Sequence, residues 1–186
     1  MTRKNSDLTD RRIEAQENTD IELYQRFIDE KTCGEYTVTR TGQYEKYDAV
    51  QVNHENGEKI VLEFKTRNIP YEQYPDYIFS FRKLDQLQEA KMLNEATRSL
   101  FVAFYPISSK IVIFDLTNLN SKNARLDWMF MKHTEYDDTS DKEWQPVVKL
   151  KLDPTHDDEN YRTYVYDFKM DDYEQIYQKH WEKLGK

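Results

Sequence analysis

An acid and a cation two positions apart, Glu63 and Lys65, close the apolar run Ile60-Val61-Leu62-Glu63-Phe64-Lys65. On an extended strand successive side chains point to opposite faces. Glu63 and Lys65 therefore share one face, and Leu62 and Phe64 the other. Upstream, Asp48 ends a polar stretch and opens the strand-like run Asp48-Ala49-Val50-Gln51-Val52. Asp48 and Glu63 are hard oxygen donors of the kind that hold a divalent cation, and Lys65 beside them can hold or activate an attacking water. This is the equipment for metal-dependent phosphodiester cleavage. On its own, Glu-x-Lys is equally an ordinary ion pair on a solvated strand face; the apolar strand and the acid-bearing neighbour are what give it weight.

A hairpin must position these residues. Asn56-Gly57, in the segment 54–58, is a turn signal that joins strand 48–53 to strand 59–65 and brings Asp48 near Glu63. Before it, Ile21, Tyr24, Phe27 and Ile28 follow at helical spacing, with Thr19 or Asp20 as the N-cap and Gly34 ending the helix after Cys33. Residues 1–18 are polar and read as a mobile tail or a solvated helix. Residues 36–40 form a strand. Residues 66–77 carry two prolines and read as a loop over the site. A second helix covers 82–96, and 99–105 and 110–116 are buried strands. Residues 127–133, 145–152 and 161–168 read as further strands, 134–143 as an acidic loop, and 171–184 as a terminal helix capped by Asp171 or Asp172.

Composition limits the function classes. The 186 residues suffice for one domain with a real core, and a net charge of −8 counts against strong nonspecific DNA affinity. A bound divalent cation offsets acids locally, so the charge does not exclude a nuclease. No run approaches the length of a membrane span, and the first residues lack the apolar stretch of a secretory signal. Cys33 is the one cysteine and has no internal disulfide partner, which fits a cytoplasmic protein. The histidines, His54, His133, His156 and His180, show no ligand spacing, and residues 156–160 lack the pattern of a calcium loop. Tyr71, Tyr74, Tyr77, Phe79 and Phe81 cluster after the motif; they suit base stacking, but filling the core beneath a loop is the simpler role.

The order helix, strand, hairpin bearing Asp and Glu-x-Lys, helix, strand, strand resembles the core of the PD-(D/E)XK nuclease superfamily, which includes restriction endonucleases and archaeal-type Holliday-junction resolvases. The resemblance covers residues 20–116. It departs from the family in having Tyr47, not proline, before Asp48; Pro75-Asp76 lies after the motif and is not its counterpart. It implies an α/β fold, a mixed central sheet flanked by helices, with residues 117–186 as a β-rich extension ending in a helix, and 19–186 as one nuclease-like domain. It further implies that Asp48, Glu63 and the Phe64 carbonyl bind Mg²⁺, or Mn²⁺ in its place, and that Lys65 assists the water. A glutamate on the first helix, matched to Glu22, and a Gln or Lys on the second, matched to Gln86 with Lys83 as the rival, would complete the site. Lys83, Arg67 and Arg82 would contact phosphates. DNA is the expected partner, with RNA or a protein left open, and a homodimer is common in the family. The alternative is a catalytically silent module on the same fold.

Overall fold

The computed structural model describes residues 3–42, 45–119, 124–132, 142–152 and 163–184. Of the expected acidic loop 134–143, residues 134–141 lie outside these, as do residues 156–160, while Lys142 and Glu143 open a strand and are not loop.

A six-stranded sheet carries the motif. Its strands are β1 (Tyr36–Arg40), β2 (Ala49–Asn53), β3 (Lys59–Thr66), β5 (Arg98–Tyr105), β6 (Lys110–Asp115) and β9 (Thr163–Asp167), side by side in that order. Neighbours run antiparallel except β3 and β5, which are parallel and pair Glu63 with Phe101 and Lys65 with Ala103. The parallel step is a crossover through α2 (Phe81–Leu93). A second sheet has the order β4 (Asp76–Ser80), β8 (Lys142–Lys151), β7 (Ala124–Lys132). The architecture is α/β, with a mixed central sheet flanked by helices, as expected.

The two faces of β3 build two cores. Leu62 and Phe64 meet Tyr24 and Phe27 of α1 (Arg3–Thr32) and Tyr173 and Ile176 of α3 (Met170–Lys183). On the other face Val61 packs with Leu87 and Ala90 of α2, and with Tyr77, Phe79, Val148 and Leu150 of the second sheet. Fully burying side chains of this size contributes roughly 1.5–3 kcal/mol each. The turn between β2 and β3 forms where Asn56-Gly57 predicts it. Gly57 takes a left-handed φ of 72°, and the Asn53 side chain accepts from the backbone N–H groups of Glu55 and Asn56.

Three expectations are corrected. The first helix does not start at Thr19: α1 runs unbroken across the expected boundary at 18/19, and Thr19 and Asp20 are buried inside it. The Thr19 hydroxyl donates to the Ala15 carbonyl one turn back, the bond of a helix interior and not of a cap. Residues 76–77 are not loop but the start of β4, because Tyr77 and Phe79 bury alternate positions while β4 pairs with β8. The terminal helix is capped by neither Asp171 nor Asp172: its N-cap position is Lys169, and both acids lie in the first turn. The C-terminal extension is β-rich and ends in that helix, as expected, with β9 completing the main sheet beside β6 and α3 packing on α1. Among the described residues, no helix is long and apolar enough to cross a membrane.

Candidate active site

The motif residues meet where β2 begins and β3 leaves the sheet. A cleft of about 450 Å³ is lined there by Asp48, Glu63, Phe64, Lys65, Thr66 and Asn68 from the hairpin and its exit, by Gln16, Glu17 and Asp20 from α1, and by Lys83 from α2. Asp48 sits one residue ahead of the Ala49–Leu62 pair, and its N–H donates to the Leu62 carbonyl at 3.0 Å. Its carboxylate reaches across the ladder and accepts from the Phe64 N–H at 2.7 Å. That bond fixes Asp48 against the residue that follows Glu63.

Glu63 is held less completely. Its side chain is 12% exposed, and Oε1 lies 2.8 Å from Lys83 Nζ. Oε2 is buried without a hydrogen-bond partner. Burial, reinforced by the charge of Asp48, pushes its carboxyl up to about 8, against the opposing pull of Lys83. Burial also raises the Asp48 carboxyl, although the Phe64 N–H, Lys83, Arg40 and Lys65 work the other way.

Two further acids approach from α1. Glu17 forms an ion pair with Arg40; burial raises its carboxyl, Arg40 opposes that, and Asp48 adds to it. Asp20, 3% exposed, accepts from Thr66 Oγ1 at 2.8 Å and from Gln16 Nε2 at 2.7 Å. Burial pushes it up to about 8, the two hydrogen bonds opposing and the charges of Asp48 and Glu17 adding. Four carboxyl groups thus lean toward their neutral forms around one cleft, and the charge of Asp48 adds to the shift of the other three.

These donors fit a hard divalent cation. A metal ion would satisfy the orphaned, buried carboxylate oxygen of Glu63 and offset its repulsion with Asp48. Among the described residues, no group of three or more His, Cys, Asp or Glu side chains is placed to hold a metal by side chains alone. Two carboxylates, a backbone carbonyl and several retained waters form the donor set that Mg²⁺ accepts.

Other expected residues fall elsewhere. Glu22 faces α3, pairing with Lys179 at 2.6 Å, His180 at 2.9 Å and Arg26 at 2.9 Å. It serves the helix–helix contact, and Glu17, more than one turn earlier, points into the cleft. Gln86 does not line the cleft; Lys83 does, because Lys83, Leu87 and Ala90 fall along the inward stripe of α2. Arg82 is exposed outside the cleft. Arg67 is turned onto Tyr77, donating to its hydroxyl at 3.0 Å with the guanidinium 4.7 Å from the ring centre. Glu17 and Asp20 were detectable in principle: stepping back from Ile21 and Tyr24 by helical intervals reaches both.

No family model and no curated protein matches the chain. Among solved structures, one match is Hjc, a Holliday junction resolvase from Archaeoglobus fulgidus, an archaeal hyperthermophile. It is 14% identical, with a TM-score of 0.42, and the match covers 71% of this chain and 84% of that one. So distant a likeness leaves the reading of the site to its own residues.

Proposed function

We propose that this protein is a metal-dependent nuclease that hydrolyses phosphodiester bonds in DNA. The observation that carries this is the meeting of Asp48, the part-unsatisfied Glu63 and Lys65 in one cleft at the end of a hairpin. Mg²⁺ or Mn²⁺ bound by Asp48, Glu63 and the Phe64 carbonyl would polarise a phosphate oxygen and lower the pKa of a water. The chain supplies the rest. Lys65, on the same face of β3 as Glu63, orients the attacking water and meets the charge that develops on the phosphate. Lys83 holds Glu63 in place and balances its charge before substrate arrives. Glu17, kept in position by Arg40, adds an acceptor for a water on the α1 side. The Asp20–Thr66–Gln16 network locks the strand exit to α1, so that Lys65 is presented from a rigid element.

One observation favours a second reading, a catalytically silent module. Lys83 already provides Glu63 with a countercharge at 2.8 Å, where a cation would compete. Incubating supercoiled, linear, single-stranded and branched DNA, and RNA, with Mg²⁺ or Mn²⁺ separates the two. Metal-dependent cutting abolished by EDTA and by Lys65→Ala supports the enzyme. Failure of the folded protein to cut any of these substrates supports the module.

A further inference from the structure

Two neighbouring arginines on α1 meet different fates. Consecutive helix residues lie about 100° apart around the axis. Arg11 turns to α3, its guanidinium 4.9 Å from the Trp181 ring centre. Arg12 turns to the cleft, which it lines with Ile13, Gln16, Glu17 and Asp20 as one stripe at helical spacing. This stretch of α1 is held in place. The Gln16 amide and the Tyr173 hydroxyl are hydrogen-bonded at 2.7 Å, and Glu22 grips Lys179 and His180 further along. The two helices thus form a fixed wall of the cleft, to which α3 adds Tyr177.

Arg12 differs from the other cations of the cleft. Lys83 is committed to Glu63 at 2.8 Å. Lys65 shares the Glu63 face of β3 and serves the attacking water. Arg12 is exposed, and among the described residues neither a hydrogen bond nor an ion pair holds it. Glu17, the nearest acid of the stripe, is paired with Arg40 instead. An unpaired guanidinium therefore stands at the rim of a cleft whose other groups are mostly acids. Five residues separate it from Glu17, roughly 7.5 Å along the helix axis. An anion that it meets is not the one held at Asp48 and Glu63 but a neighbour of it.

We propose that Arg12 is a substrate-binding residue that holds the phosphate next to the scissile one, aligning the nucleic-acid strand along the α1–α3 wall past Tyr177. A guanidinium suits this because its fork of donors meets phosphate oxygens two at a time. The proposal rests on the reading of the cleft as a nuclease site and adds how the strand is aligned there.

The test compares Arg12→Gln, Arg12→Lys and Lys31→Gln with the wild type. Lys31 lies at the far end of α1, outside the cleft, and its loss removes the same charge. Binding of labelled DNA, duplex and single-stranded, is followed by anisotropy in EDTA over a range of salt, and steady-state cleavage in Mg²⁺. Arg12→Gln should weaken binding about tenfold. It should also flatten the plot of log affinity against log salt by one phosphate contact, a slope change of roughly 0.7–0.9. KM should rise by a similar factor with kcat little changed, as for a contact made equally in the ground and transition states. Arg12→Lys should keep the salt slope and lose part of the affinity. Lys31→Gln should alter neither, and all three should melt with the wild type. Wild-type binding, slope and KM in Arg12→Gln overturn the proposal. So does an equal loss in Lys31→Gln, which would make the effect one of net charge, or a fall in kcat with affinity and KM intact. Binding that depends on Arg12 without cleavage would leave this inference standing and sink the nuclease reading; cleavage indifferent to Arg12 would do the reverse. Neither binding nor cleavage by the wild type would overturn both.

Discussion

Glu63→Gln should make the metal-free protein more stable, in a way that depends on pH. The carboxyl titrates near 4.5 when unfolded and is pushed up to about 8 in the fold. Between these values the native state holds more protons than the unfolded state, so stability is full below the lower value and declines as pH rises toward the upper one. Fully expressed, the gap would correspond to roughly 4–5 kcal/mol. The Asp48 carboxyl is raised in the same cleft and is coupled to Glu63, so about 2–4 kcal/mol is the expected loss for this side chain. Glutamine keeps the shape and cannot ionise. Urea unfolding followed by circular dichroism should find the two proteins alike near pH 5 and the variant ahead by about 2–4 kcal/mol near pH 8. Saturating Mg²⁺ should then stabilise the wild type, by about 2.7 kcal/mol at a hundredfold excess over Kd, and the variant far less. Parallel pH profiles, or a variant weaker at every pH, would refute the claim that Glu63 is an only partly compensated acid held for a cation.

Other outcomes follow from the same geometry. Glu22→Gln should leave cleavage unchanged but cost about 1 kcal/mol in urea unfolding. Burial works against its charge, yet the bonds from Lys179, Arg26 and His180 outweigh it and hold the carboxyl at about 2. Glu17→Gln, by contrast, should slow cleavage by about 10- to 100-fold with little change in melting, as for a residue supporting a metal site. Lys83→Met should reduce metal-dependent cleavage by a similar factor, and a metal titration should show whether affinity or turnover is lost. Phe101→Ala, which removes a fully buried ring packed on Tyr77, Phe79 and Phe114, should destabilise by about 3–5 kcal/mol in the same urea assay.

The hairpin was legible because its signals are local. Asn56-Gly57 sets the turn, alternation along β3 sorts Glu63 and Lys65 from Leu62 and Phe64, and a short loop leaves Asp48 beside them. The α1 contribution was hidden for a physical reason. Where that helix faces the cleft and not the core, its inner positions are Gln16, Glu17 and Asp20, and a polar inner face has the same composition as a solvated one. In the sequence the apolar stripe therefore ends at Ile21, and Thr19-Asp20 imitates a cap. Glu22 and Glu17 differ by their angle around the helix, which becomes meaningful only once α3 is known to cover one side. On α2, Lys83 and Gln86 both suited the role, and packing of Leu87 and Ala90 chose Lys83. β4 was obscured by Pro70 and Pro75, which precede it, and by the distance in sequence to its partner β8.

The most direct test of the central claim is plasmid cleavage in Mg²⁺ by the wild type, Asp48→Asn and Lys65→Ala, each verified to melt as a folded protein. The account predicts cutting by the wild type that ends on chelation, and loss of activity in both variants. Equal cutting by all three, or none by the wild type in Mg²⁺ or Mn²⁺ on any form of DNA, would contradict it.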